Sequence, residues 1–281
     1  MRIISWNCRG VGGPRAVRSI CDVVSTHRPS ILGLVKTKKS DEEWEALRCK
    51  LGFKGCLSIR SRGKAGGLAL LWGQEVDVDL LSFSHSHINV CVQGDCGFHL
   101  TLFYGNPRTN DRVQSWELLR KLRRDVDKAW VVMGGFNEVL FSWETDSKRE
   151  RQMWQMNNFK DCLADCGLSD LGFEGEMFTY SNRRLGEEEV RVRLDRVVVN
   201  QAWRTAFPQA TVRHAFANSS DHLPIVLSTL NKERGSKRRI VRFEPMWLRH
   251  KGFKHVVRKY WNELLGAVAD PGLDRWGGRT L

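Results

Sequence analysis

The sequence predicts an α/β fold, a four-layer α/β/β/α sandwich of two mainly antiparallel sheets flanked by helices. Three observations predict it. Short apolar strand segments recur at spacings near ten residues with glycine between them, the pattern of antiparallel meanders. A few amphipathic helices interrupt these strand runs, a mixture that packs as sheets covered by helices. The 281 residues are enough to bury a large core.

The elements follow in order. RIISWN (2–7) is a first strand. PRAVRSICDVVSTHRP is a helix, with Pro14 suited to its first turn and Val17, Ile20, Cys21 and Val24 on one face. SILGLV (30–35) is the next strand. SDEEWEALRCKLGF carries a capping box, Ser40 to Glu43, then a stripe of Trp44, Leu47 and Leu51 that Gly52 stops. Strand segments CLSIRS, GGLALLW, VDVDLLSF, HINVCVQ and FHLTLFYG come next. A helix over 112–127 precedes the buried strand of VVMGGFNEVL (131–140), and a second, RQMWQMNNFKDCLADCGL, follows it. The strand segments MFTYSN, VRVRLDRVVVN, ATVRHAFA and LPIVLST close the pattern. After Leu230 the chain turns polar and basic, so the domain boundary is placed there. Residues 1–230 form the main domain, and 231–281 a basic linker with one more helix, EPMWLRHKGFKHVVRKYWNELLG.

Composition narrows the function classes. No apolar run approaches the roughly 18 residues of a membrane span. The N-terminus reads as a strand, not a signal peptide. The eight cysteines lack CxxC pairs or metal-type Cys/His spacing; Cys162 and Cys166 read as core or helix-face thiols. These features imply a reduced intracellular protein without zinc. A net charge of +13 favours an anionic partner, most simply nucleic acid. Residues 231–281 hold 13 Lys+Arg against 5 Asp+Glu, either a solvated basic tail or a nucleic-acid contact. SKRRIVR (236–242) is a weak nuclear signal, and a nuclear location is expected over a cytoplasmic one.

Four stretches could carry chemistry. NSSDHLPIVLS (218–228) places Asp221 and His222 together before an apolar strand. Such a His can act as a general acid or stabilise charge on a phosphate, and the neighbouring carboxylate can hold a metal or water. A surface turn that happens to contain Asp-His is the bland alternative. VRLDRVVVN (192–200) puts Asp195 in an alternating strand between Arg193 and Arg196. Its partner is either His222, whose tautomer it would fix, or an adjacent arginine at the surface. FYGNPR (103–108) ends a strand with Tyr104, a phosphate contact or a core tyrosine. SWNCRG (5–10) ends the first strand with Asn7, a neutral ligand for metal, water or phosphate, or a turn former.

Taken in order, WNCRGVGGPRAVRSI, ILGLVKTKK, GGLALLW, FYGNPR, WVVMGGFNEVL, DCGLSDLGFEGEMFTYSN, RLDRVVVN and SSDHLPI resemble the endonuclease/exonuclease/phosphatase superfamily. The chain is most similar to the apurinic-type endonuclease domain of plant LINE (non-LTR) retrotransposons, over nearly all of 1–230. RFEPMWLRHKGF resembles the segment that joins this nuclease to a reverse transcriptase, which is absent from this chain. The resemblance implies a four-layer sandwich that cleaves DNA phosphodiesters with a divalent metal, usually Mg²⁺. It implies that Asn7 and Asp221 hold the metal, with Asn7 also contacting phosphate, and that Tyr104 contacts phosphate. Asn137 would orient the attacking water, Asp195 support His222, and Asp221 and His222 complete the catalytic cluster.

Two positions depart from the family pattern. Its Glu-Thr-Lys string, which supplies a metal-binding Glu, reads Lys36-Thr37-Lys38 here. Its Gly-Asp-Phe-Asn string, which supplies the Asp that activates water, reads Gly134-Gly135-Phe136-Asn137. Each change is one base transition from the family residue, a pattern that fits a decaying element copy. The expectation is a DNA-nicking domain with weakened metal affinity and little turnover. The alternatives are a non-catalytic nucleic-acid-binding module with Lys36 against a phosphate, a relic, or a small-molecule phosphatase of the same superfamily.

Overall fold

The computed structural model of the chain describes residues 1–37, 39–60, 66–148, 151–184, 188–217, 219–230 and 258. The chain divides into two units, Met1–Asn231 and Lys232–Leu281. The basic segment after residue 230, with its expected helix and nuclear signal, lies outside the described residues, residue 258 excepted.

Two six-stranded sheets form the centre of the first unit. The first runs β13 (Thr211–His214), β14 (Ile225–Ser228), β1 (Arg2–Asn7), β2 (Ile31–Val35), β4 (Leu68–Trp72), β3 (Gly55–Ile59). The second runs β5 (Val78–Ser84), β6 (His87–Val92), β7 (Phe98–Tyr104), β8 (Ala129–Gly135), β12 (Asp195–Asn200), β9 (Leu168–Asp170). Both are mixed but mainly antiparallel. Each has a single parallel pair, β1 with β2 and β7 with β8. A parallel pair needs a crossover, and a helix supplies it each time: α1 (Pro14–His27) and α3 (Arg112–Arg123).

The period-2 alternation of the strands sorts their side chains into three apolar layers. Ile3, Ile31, Val35 and Leu70 meet Leu100, Leu102, Val131, Met133 and Val197 between the sheets. On the outer face of the first sheet, Ile4, Trp6, Leu32 and Leu34 pack on Ile20 and Val23 of α1 and on Trp44 and Leu47 of α2 (Asp41–Leu51). On the outer face of the second, Trp130, Val132 and Val198 pack on α3 and on Phe159, Cys162 and Leu163 of α4 (Met153–Asp165). Three apolar interfaces make four layers. The capping box from Ser40 to Glu43 and the left-handed Gly52 stop of α2 are both present.

Some element bounds differ from the sequence reading, each for a visible reason. VRVRLDRVVVN is not one strand: it splits into β11 (Arg191–Val192) and β12. Between them, Arg193 N–H donates to Glu144 O, and the amides of Leu194 and Asp195 donate to Thr179 Oγ1, so these donors leave the ladder. Only Tyr180–Ser181 (β10) of MFTYSN pairs, with β11. The helix expected to 127 ends at Arg123, where i→i+3 bonds tighten its last turn. Strand β9 and helix α5 (Gln201–Ala206) are too short for periodicity to reveal; Asn200 caps α5 by accepting from Trp203 N–H at 2.9 Å.

Candidate active site

The inner stripe of the sandwich turns polar at one end. Asn7 lies on the inner face of β1, in step with Ile3, and Tyr104 ends the β7 series of Leu100 and Leu102. Gly135 follows Val131 and Met133 on β8, and Asp195 precedes Val197 and Val199 on β12. Tyr104 pairs with Gly135, and Gly135 with Asp195, in the ladder. The core pattern therefore delivers these residues to one edge of the inter-sheet space.

Two contacts tie the sheets together there. His222 Nδ1 donates to Asp195 Oδ2 at 2.7 Å, both side chains buried. Lys36, which follows β2 in a left-handed conformation (φ 59°), places Nζ 5.2 Å from the centroid of the Tyr104 ring. Asp195 is thus the partner of His222 and not of an arginine. Arg193 and Arg196 face the other way, into a buried network with Glu144 and Asp170. Arg196 bonds Glu144 at 2.8 Å and Asp170 at 2.7 Å, and Arg193 bonds them at 2.8 and 2.9 Å. Burial disfavours these charges, but the Arg196 guanidinium prevails and holds both carboxyls below their ordinary values.

The loop before β14 is pinned from three sides. Ser220 Oγ donates to Asn7 O at 2.6 Å and accepts from His222 N–H at 3.1 Å. Trp6 Nε1 donates to His222 O at 2.9 Å. The Tyr180 ring lies 5.0 Å from the imidazole. Asn137 also takes a left-handed conformation (φ 58°) and donates Nδ2 to Gly105 O at 2.5 Å, which fixes its amide. Asn7 and Tyr104 differ: both amide atoms of Asn7 and the Tyr104 hydroxyl are buried without a hydrogen-bond partner among the described residues. Buried polar atoms of this kind normally have partners, so these two strand-end residues keep hydrogen-bonding capacity for a ligand.

The residues do not fit a divalent metal. Such an ion is held by one or two carboxylates with further oxygens. Here Asp221 is ion-paired with Arg9 at 2.7 Å, and Lys36 occupies the end of β2. No group of three His, Cys, Asp or Glu able to hold a metal exists among the described residues. Glu138 offers no replacement: it is buried between Arg112 and Arg151. The Asp41 side chain lies outside the described residues.

The two glycines at the end of β8 are not equivalent. At Gly134 (φ 139°) an added Cβ would lie 2.1 Å from Phe103 O, so only glycine fits. Gly135 has no such backbone demand, and its Cβ would lie 3.1 Å from Asp195 Oδ1 and 3.5 Å from Tyr104. A side chain at 135 would point at the Asp195–His222 pair. Arg9, Thr179 and Ser220 were not singled out from the sequence; the available signal was the place of Arg9 just after the first strand in NCRG and of Ser220 beside Asp221 in SSDH.

A family model described as endonuclease/exonuclease/phosphatase matches residues 4–222. No curated protein matches the chain. Among solved structures, the endonuclease domain of TRAS1, a telomere-specific non-LTR retrotransposon, is similar at TM-score 0.60 and 14% identity, over 83% of this chain and 99% of that one. An AP endonuclease from Archaeoglobus fulgidus is similar at TM-score 0.66 and 18% identity, over 81% and 98%. A 3′-5′ exonuclease from Neisseria meningitidis is similar at 0.62 and 20%, over 81% and 99%. The edge where the two parallel pairs end lies within the matched span, and this chain belongs to the endonuclease/exonuclease/phosphatase family.

Proposed function

We propose that the chain is a retrotransposon-type endonuclease domain that still binds the DNA phosphodiester but hydrolyses it poorly or not at all. One observation carries this reading: the phosphate-facing half of the site is intact while both acid positions are replaced. Asn7 and Tyr104 supply unengaged buried donors. His222, held by Asp195, presents Nε2 for proton transfer or for a hydrogen bond to a phosphate oxygen. At position 135 there is no side chain to take a proton from water, and general-base catalysis contributes about 10²–10⁴-fold. Mg²⁺ is the metal expected of an active relative, and it would be held weakly here. A nuclear site of action belongs to the same proposal.

A second reading, a nucleic-acid-binding module that needs no metal, is favoured by the two cations at the site. Lys36 over Tyr104 places fixed positive charge beside an unengaged donor, and Arg9, now paired with Asp221, can turn to a phosphate; phosphate contacts of this kind set affinity without reading sequence. Both readings are tested by anisotropy titration of a labelled DNA duplex in EDTA and in Mg²⁺, alongside nicking of supercoiled plasmid. DNA binding that is unchanged by EDTA, falls with salt and falls in Asn7→Ala, with no nicking, is the expected result. Brisk metal-dependent nicking overturns the impaired-site reading, and no DNA binding overturns both.

A further inference from the structure

Phe216 belongs to none of the catalytic contacts, yet it is the most exposed large apolar side chain among the described residues, at 78%. Single exposed apolar residues are common and usually mean little. Three features separate this one. Its neighbours Ala215 and Ala217 are both 6% exposed and belong to the core layer under α1. Ala215 N–H donates to Pro224 O at 2.8 Å, which ties the backbone just before Phe216 to the start of β14. Phe216 also stands five residues before Asp221, on the loop that carries the catalytic pair.

Second, Phe216 and Ala217 form a shared wall between two open clefts of about 490 and 440 Å³. The first reaches Asp221, Ser220 and Tyr180 of the candidate active site. The second runs along α1 past Arg15, Arg18 and Ser19. Each is large enough for a small ligand group.

Third, the second cleft is basic. Arg15 and Arg18 are exposed and have no ion pair or hydrogen bond among the described residues. Arg183 and Arg191 line the first cleft, where Arg191 is paired with Asp146 at 2.6 Å. The counter-charges are Asp22 in one cleft and Glu176 and Asp221 in the other. An outward aromatic ring beside a cleft that carries the unpaired Arg15 and Arg18 is the arrangement that binds nucleic-acid strands, with bases on the ring and phosphates on the cations.

We propose that Phe216 is a base-stacking platform for a DNA strand leaving the active site, with Arg15 and Arg18 holding its phosphates; this rests on the nucleic-acid reading above. The test uses the full chain and a DNA duplex with a short unpaired extension carrying 2-aminopurine. Phe216→Ala is expected to weaken binding by about 5- to 150-fold, the range for losing one stacked base, and to abolish the quenching of 2-aminopurine. Phe216→Trp is expected to retain both. Arg15→Ala with Arg18→Ala is expected to reduce the slope of affinity against salt by roughly 1–2 and to leave quenching in the bound state. Binding by the unaltered chain that is matched by Phe216→Ala, with quenching unchanged, overturns this proposal alone. No binding by the unaltered chain overturns the nucleic-acid reading and this proposal with it.

Discussion

Placing an acid at both positions, Lys36→Glu with Gly135→Asp, is the sharpest perturbation of this site and tests the function proposed above. Neither change is opposed by the backbone: Lys36 already bears a side chain at positive φ, and Gly135 does not need a glycine conformation. The new Cβ at 135 lies 3.1 Å from Asp195 Oδ1, so Asp195 must give by a few tenths of an ångström. The charge change dominates. A site with Lys36, Arg9, Asp195 and Asp221 becomes one with a single cation and four carboxylates. Each like-charge pair near 4 Å costs about 4 kcal/mol at an effective dielectric of 20, against a typical domain stability of about 5–15 kcal/mol. The double variant should therefore melt well below the unaltered chain in EDTA. Divalent ion at 100 times its Kd adds about 2.7 kcal/mol, which for a unit of this size raises Tm by about 5–10 °C. The assay is thermal unfolding in EDTA, Mg²⁺ and Mn²⁺, with plasmid nicking under the same conditions. The double variant should gain both the metal shift and nicking. An unaltered chain that nicks equally well, or shows the same metal shift, refutes the assignment of Lys36 and Gly135.

Other consequences can be measured by denaturation alone. Gly134→Ala should cost more than about 3 kcal/mol, because it drives a Cβ into Phe103 O at an unfavourable φ, while Gly135→Ala should fold normally; equal urea midpoints would refute this. Arg196→Met should cost about 3–5 kcal/mol by leaving Glu144 and Asp170 buried without their main partner, and a loss under 1 kcal/mol would show that the network is not coupled. His27, His87, His99 and His214 are all held below 6.5, first by burial, with His87 at about 4. The unfolded chain takes up protons that the folded chain refuses. Stability should be full above pH 6.5 and fall as pH drops from 6.5 towards 4; a flat urea midpoint across that window would contradict it.

Much of this was legible in the sequence where two independent signals coincided. Asn7, Tyr104 and Gly135 each combine an apolar strand with an abrupt polar or glycine end, and the fold places all three where strands of one stripe run out. The pairing of Asp195 with His222 spans 27 residues, so it was one of two options until geometry excluded the arginines. The Glu144–Arg193–Arg196–Asp170 network was not legible, because its acids sit in a single 3₁₀ turn and a three-residue strand, both too short for periodicity. Arg9 and Phe216 were missed for a similar reason: an exposed loop side chain gains its meaning from what lies across from it.

The charge balance at this edge fits a lysine at 36 and no acid at 135. Asp195 has His222 and Asp221 has Arg9, so neither carboxylate calls for a bound cation. Each substitution alone must then make matters worse: Gly135→Asp adds a carboxylate against Asp195, and Lys36→Glu removes a cation and adds an anion. In EDTA the two substitutions should couple unfavourably, since both raise the same negative potential. In Mg²⁺ the coupling should turn favourable, because the second acid completes a site for an ion that the first could hold only weakly. A double-mutant cycle of unfolding free energies in the two buffers measures this directly. A coupling energy of the same sign and size in both would mean that positions 36 and 135 do not share an ion, and the metal-site reading of this edge would fall with it.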